Sequence, residues 1–180
     1  MVKMDEIFKN SAYSILELFI EHPSRDYSVR GIARELKINH ATVINYISSL
    51  LKLGVIKKKN ETLYPTYYAD TENQKYRQYK RNHIIFRITE SGLISYLMEK
   101  TLASAITIFG SCAKGSYTEK SDIDLFIESK EQKTDLRKYE KQLKRKINLL
   151  FEPNINNLSR ELRNNIINGI VLAGFIKVKE

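Results

Sequence analysis

The chain has 180 residues, 42% of them apolar and 28% charged, with a formal net charge of +9. That length holds one large domain or two small ones, and that balance excludes an intrinsically disordered chain. The single cysteine, Cys112, excludes an internal disulfide and a cysteine-based zinc cluster, and no apolar run approaches the ~20 residues of a membrane span.

In chain order, residues 12–21 repeat apolar side chains at helical spacing, and His22-Pro23-Ser24 stops that helix. Ser28 is expected to cap a second helix, Val29–Leu36, buried through Ile32, Ala33 and Leu36. Asn39 opens a third helix over 40–53, with Val43, Ile44, Ile47, Leu50 and Leu51 inward and Gly54 as its stop. Residues 55–66 then read as two short strands around a polar turn. Helix, helix, turn, helix and a basic ribbon over 10–67 resemble a winged helix-turn-helix domain.

In such a domain the third helix enters the major groove and the ribbon touches the backbone or the minor groove. The resemblance makes His40, Thr42, Asn45, Tyr46 and Ser49 the groove-facing residues, with Asn45 suited to adenine. Lys57, Lys58 and Lys59 on the ribbon, with Arg30, Arg34 and Lys37, are the expected phosphate contacts on duplex DNA. Residues 1–70 carry only 10 Lys and Arg against 8 Asp and Glu, so a basic patch must be local. A protein-interaction or dimerisation role is the alternative, with the lysines serving to keep an edge strand soluble.

Residues 71–101 read as a helical connector. A basic helix to about Arg87 spaces Tyr76, Tyr79, His83 and Phe86 as a candidate coiled-coil seam, which would make a homodimer. A further helix buries Leu93, Ile94, Leu97 and Met98. The three histidines, His22, His40 and His83, are too scattered to form a metal site.

The next stretch carries the chemistry. Two apolar runs, Ala105–Phe109 and Ile123–Ile127, read as short buried strands, joined through Gly110-Ser111 and a polar connection. Asp122 and Asp124 lie two residues apart, so their carboxylates leave the same face of the second strand. Like charges that close repel unless a cation sits between them, and oxygen-only ligation favours a hard ion such as Mg2+. Gly110 lets the backbone approach a ligand, Ser111 offers a hydroxyl, and a short helix expected from about Ala113 aims N–H groups at an anion. Together these describe a site for a metal-bound nucleoside triphosphate. Lys114 and Lys120 are candidates to neutralise phosphate charge, and Cys112 reads as a small residue in the turn.

Gly110-Ser111, ten residues, then Asp122-Ile123-Asp124 is similar to the signature of the minimal nucleotidyltransferases of the DNA polymerase beta superfamily. Beyond it, residues 134–145 form an amphipathic helix on Leu136, Tyr139 and Leu143, and residues 146–152 a third strand. Ser159 or Asn157 caps a helix to about Asn168, and 169–178 is an apolar tail expected to pack on the sheet. The superfamily places a third carboxylate on the third strand, where this chain has Asn148; Glu152 shares its face but lies roughly 13 Å along the strand.

The expected fold class is α+β. It comprises a winged helix-turn-helix domain over 1–70, a helical connector over 71–101, and a small mixed-sheet nucleotidyltransferase domain over 102–180. The resemblance implies transfer of a nucleoside monophosphate from a Mg2+- or Mn2+-bound triphosphate to a hydroxyl acceptor. Asp122 and Asp124 would then be catalytic and metal-binding, and Gly110 and Ser111 would bind the nucleotide. Two alternatives stand beside it: a DNA-binding regulator whose degenerate domain senses a nucleotide, and an antitoxin-like module acting on a partner toxin. No signal-peptide pattern opens the chain, so a cytoplasmic protein is expected.

Overall fold

The computed structural model describes residues 10–60 and 63–177. Two compact units meet in the chain between Tyr79 and Lys80.

The first unit opens with α1, Ser11–Glu21, whose first turn is capped by the Asn10 side chain accepting from Tyr13 N at 2.8 Å. Its apolar spacing buries Ile15, Leu16, Phe19 and Ile20. A short strand β1, Tyr27–Ser28, leads into α2, Val29–Leu36, and Ser28 Oγ accepts from Gly31 N at 3.1 Å as the sequence led us to expect. Helix α3 spans His40–Lys52 behind an Asn39 cap. Strands β2, Ile56–Lys59, and β3, Thr66–Ala69, pair antiparallel, and β1 adds to the other side of β3. The expected turn between them includes Glu61 and Thr62, which lie outside the described residues.

Two expectations about these helices change. Val43, Ile47 and Leu50 set the buried stripe of α3, so Ile44, one position off it, is 49% exposed rather than inward. Tyr46, expected outward, is half-buried and packs against the core. That core gathers Phe19, Tyr27, Ile32, Val55 and Ile56, with Phe19 and Tyr27 meeting edge to face at 5.1 Å.

Helix α4, Gln74–Glu90, lies across the division. Of the four residues of the expected coiled-coil seam, two are used within the chain, while Tyr79 is exposed and Phe86 half-buried. Tyr76 is buried and donates to the Phe19 carbonyl at 2.8 Å, and His83 is buried as well.

The second unit continues with α5, Leu93–Thr101, then β4, Ala105–Phe109, α6, Gly110–Lys114, and β5, Ile123–Ile127. Helix α7, Arg137–Leu143, precedes β6, Ile147–Phe151; a 3-10 turn, Ile155–Asn157, precedes α8, Arg160–Ile167, capped by Ser159. The mixed sheet has the order β6-β5-β4 and then a fourth strand, β7, Ile170–Gly174. Strand β6 runs parallel to β5, and the other pairs are antiparallel. The tail expected to lie on the sheet is therefore part of it, while Val178 is outside the described residues. Gly169 permits this turn into β7, since a Cβ there would come within 2.5 Å of the Ile108 carbonyl.

Alternation along the strands builds two layers. Ile106, Ile108, Ile123, Leu125, Ile127 and Ile147 face a core closed by Ile84 and Ile88 of α4, Leu93 and Leu97 of α5, and Tyr139 and Leu143 of α7. Phe126 faces the other way, toward Ile155 and Ile166, with Phe109, Leu150 and Leu162 around them. Asp124 is two residues from Phe126 and shares that second face, at the end where β4 passes into α6.

Candidate functional site

Three neighbouring strands bring the site together. Phe109 on β4 lies opposite Asp124 on β5, and Asp124 lies beside Asn148 on β6. Asp122 stands one residue before β5, so both carboxylates reach the same point. There the Asn148 amide Nδ2 donates to Asp124 Oδ1 at 3.0 Å and to Asp122 Oδ2 at 3.3 Å. Both aspartates are half-buried, and Asn148 is exposed.

Gly110 follows directly. Its φ of 68° is left-handed, and a Cβ there would sit 2.9 Å from Asp124 Oδ2. Helix α6 begins at this glycine rather than near Ala113, because the reversal at Gly110 turns the chain at once. Ser116 N donates to the Ser111 carbonyl at 3.0 Å, and Gly115 N to that of Cys112 at 3.2 Å, which closes the turn. The four residues predicted here, Gly110, Ser111, Asp122 and Asp124, thus lie in one structural element pair, α6 and the start of β5.

Cys112 does more than fill space. Its buried thiol donates to the Asp122 carbonyl at 3.5 Å, tying α6 to the aspartate-bearing segment. Burial pushes the thiol up to about 11, so it stays protonated and is no nucleophile near neutral pH.

The segment delivering Asp122 is held by residues that the sequence did not single out. The buried Tyr117 ring has two cations against it, Lys80 Nζ 4.5 Å from its centre and the Arg145 guanidinium 4.8 Å away. Lys80 Nζ donates to the Tyr117 carbonyl at 2.5 Å, and the Tyr117 hydroxyl donates back to the Lys80 carbonyl at 3.0 Å. Arg145 Nη1 donates to the carbonyls of Thr118 at 2.6 Å and Ser121 at 2.9 Å. The legible signal was Tyr117 itself, the one large apolar ring in an otherwise small and polar stretch.

Glu152 takes no part. Strands β5 and β6 pair without a bulge from Ile123 with Ile147 to Ile127 with Phe151. Its carboxylate instead accepts from Asn154 N at 3.0 Å and Asn157 Nδ2 at 2.9 Å, bracing a 3-10 turn that Asn154 itself caps. Lys114 and Lys120 are exposed. Among the described residues no group of three or more His, Cys, Asp or Glu converges as a metal site. The donors present still fit a hard divalent ion: two carboxylates on one side, and a backbone cleared of side chain at Gly110 for further oxygen ligands.

Residues 91–174 match the family model described as Polymerase beta, Nucleotidyltransferase. The match takes in all four strands of the mixed sheet, Gly110-Ser111 and both aspartates, and covers just under half the chain. It supports a minimal nucleotidyltransferase domain here, and with it an enzyme. No curated protein and no solved structure matches the chain. No helix among the described residues is long and apolar enough to cross a membrane.

In the first unit, His40, Asn45 and Ser49 are exposed along α3, and Thr42 and Tyr46 are half-buried. Ser49 Oγ donates to the Asn45 carbonyl at 3.0 Å, so its hydroxyl proton is used within the helix. Lys57 pairs with Asp70 at 2.9 Å and Lys59 with Asp26 at 3.7 Å, while Lys58 is exposed. Both pairs lie at the surface, where solvent and salt compete with them.

Proposed function

We propose that the second unit transfers a nucleoside monophosphate from a nucleoside triphosphate to a hydroxyl acceptor, releasing pyrophosphate. The acceptor oxygen forms a bond to the α-phosphorus as the bond to the pyrophosphate oxygen breaks. Asp122 and Asp124 would hold Mg2+ or Mn2+, which when bound neutralises charge on the phosphates. The carrying observation is the convergence of both carboxylates beside a left-handed glycine, where a Cβ would press on Asp124 Oδ2.

The residues divide the work. Gly110 leaves space for the triphosphate, and the Ser111 hydroxyl can donate to a phosphate oxygen. Lys80, Tyr117 and Arg145 act as positioning residues that fix the segment ahead of Asp122. Asn148 cannot accept a proton at neutral pH, so the acceptor's proton leaves to solvent or phosphate, and the reaction is expected to be slow.

The same amide favours a second reading, in which the domain binds a nucleotide without transferring it. Labelled triphosphate with Mg2+, incubated with RNA, proteins and small hydroxyl compounds, separates the two. Transfer lost in Asp122→Asn establishes the enzyme. Binding without transfer to any acceptor, together with transfer gained in Asn148→Asp, establishes the sensor.

For the first unit we propose a winged helix-turn-helix module that binds duplex DNA through α3 and the ribbon. The exposed His40 and Asn45 on α3 and Lys58 on β2 support that reading.

A further inference from the structure

We infer that the Asn148 amide serves as an internal stand-in for a cation, holding Asp122 and Asp124 together without metal and limiting the site to one divalent ion. This deepens the nucleotidyltransferase reading and rests on it for the identity of the triphosphate ligand.

The geometry is specific. One NH2 group has two protons, and here each finds a carboxylate oxygen on a different aspartate, at 3.0 and 3.3 Å. Two carboxylates that share an amide donor in this way carry less mutual repulsion than two left facing each other. The register puts Asn148 directly beside Asp124 with no bulge, so β6 delivers this side chain to the aspartate pair. A neutral donor relieves repulsion without adding charge, and it leaves the pair free to exchange it for a stronger partner.

A divalent ion at the carboxylates would repel the NH2 group. By turning about its terminal torsion, the amide could then offer Oδ1, a neutral oxygen suited to a hard cation. The charge supplied by the chain remains that of two carboxylates, which matches one divalent ion. A second ion has no further carboxylate to use: Glu152 accepts from Asn154 N and Asn157 Nδ2 instead, and no third acidic or histidine ligand converges among the described residues.

The test compares wild type, Asn148→Ala and Asn148→Asp by thermal melting in chelator and in Mn2+, with Mn2+ stoichiometry read from the free-ion resonance signal. In chelator the melting order is wild type, then Ala, then Asp, because Asp adds a third repelling charge. Asn148→Asp binds Mn2+ about tenfold or more tightly than wild type and gains the larger melting shift from it. Wild type with a non-hydrolysable triphosphate binds one Mn2+ per chain. Asn148→Asp melting at or above wild type in chelator, or two Mn2+ per wild-type chain, overturns the inference. Addition of triphosphate separates the two proposals: if it produces no extra shift while the Mn2+ results hold, the nucleotide reading fails and the role of Asn148 stands.

Discussion

Gly110 and Asp124 are in steric register: the carboxylate oxygen Oδ2 occupies a point 2.9 Å from where a Cβ on residue 110 would lie. The glycine therefore answers two demands at once, a left-handed φ and an unobstructed aspartate. Gly110→Ala is expected to cost about 1–2 kcal/mol from backbone conformation alone and to push Asp124 aside. Gly110→Val should abolish triphosphate binding. Melting curves beside a binding isotherm check this; a valine variant that binds triphosphate normally contradicts the site.

Triphosphate binding should require a divalent ion. Asp122→Asn and Asp124→Asn should each weaken it by about tenfold or more, since each removes a charge from the only carboxylate pair in the site. Equilibrium binding with and without chelator measures the effect. Unchanged affinity in chelator would rule the metal out.

Lys80 reaches the segment ahead of Asp122 through Tyr117, and it should matter. Lys80→Met keeps much of the volume but loses the charged donor to the Tyr117 carbonyl and the cation beside its ring. A loss of about 2 kcal/mol is expected, together with weaker triphosphate binding from a less well-placed Asp122. Denaturant titration gives the first quantity and calorimetry the second.

The buried thiol makes a prediction about pH. The folded-state value of Cys112 is raised from 9.0 to about 11, so folding favours the neutral thiol. Its contribution to stability is complete below pH 9 and falls away as pH rises toward 11, because only the unfolded chain ionises readily in that window. Cys112→Ala should flatten that part of the stability profile. At pH 8 the native thiol should react with a thiol reagent only as fast as the protein opens.

For the first unit, duplex DNA binding should be micromolar and should weaken steeply between about 50 and 200 mM salt. Lys58→Ala is expected to weaken all sequences alike, whereas Asn45→Ala should change preference among them. Fluorescence anisotropy against several duplexes distinguishes these effects. Flat curves for every duplex at low salt would move this unit toward a protein-binding role.

Much of the second unit is legible in the sequence itself. Both central strands, Ala105–Phe109 and Ile123–Ile127, follow from short apolar runs bounded by turn residues, and the Ser28 and Asn39 caps follow from side-chain chemistry. The aspartates' shared direction follows from the period of a strand. What escaped was tertiary. Nothing local distinguishes an apolar tail that lies on a sheet from one that joins it, as residues 170–174 do. Nor does a lysine in a basic helix reveal that it alone turns inward; Lys80 is identified only by the aromatic ring it meets 37 positions later. Ile44 failed for a smaller reason, since one helical step of about 100° was enough to carry it off the buried stripe.

Strand β7 also sets an order of events during synthesis. The ribbon of the first unit pairs Ile56 with Ala69, close neighbours in the chain, whereas β4 is flanked on one side by Ala173 opposite Ile106. Nascent chains fold from the N-terminus, and distant pairings form late because a long loop must close first. The first unit can therefore be complete while β4, with Gly110 at its end, still has a bare edge. Until residues 170–174 emerge, that edge is open to pairing with other chains, and a ribosome stalled between β6 and β7 would release a product that aggregates.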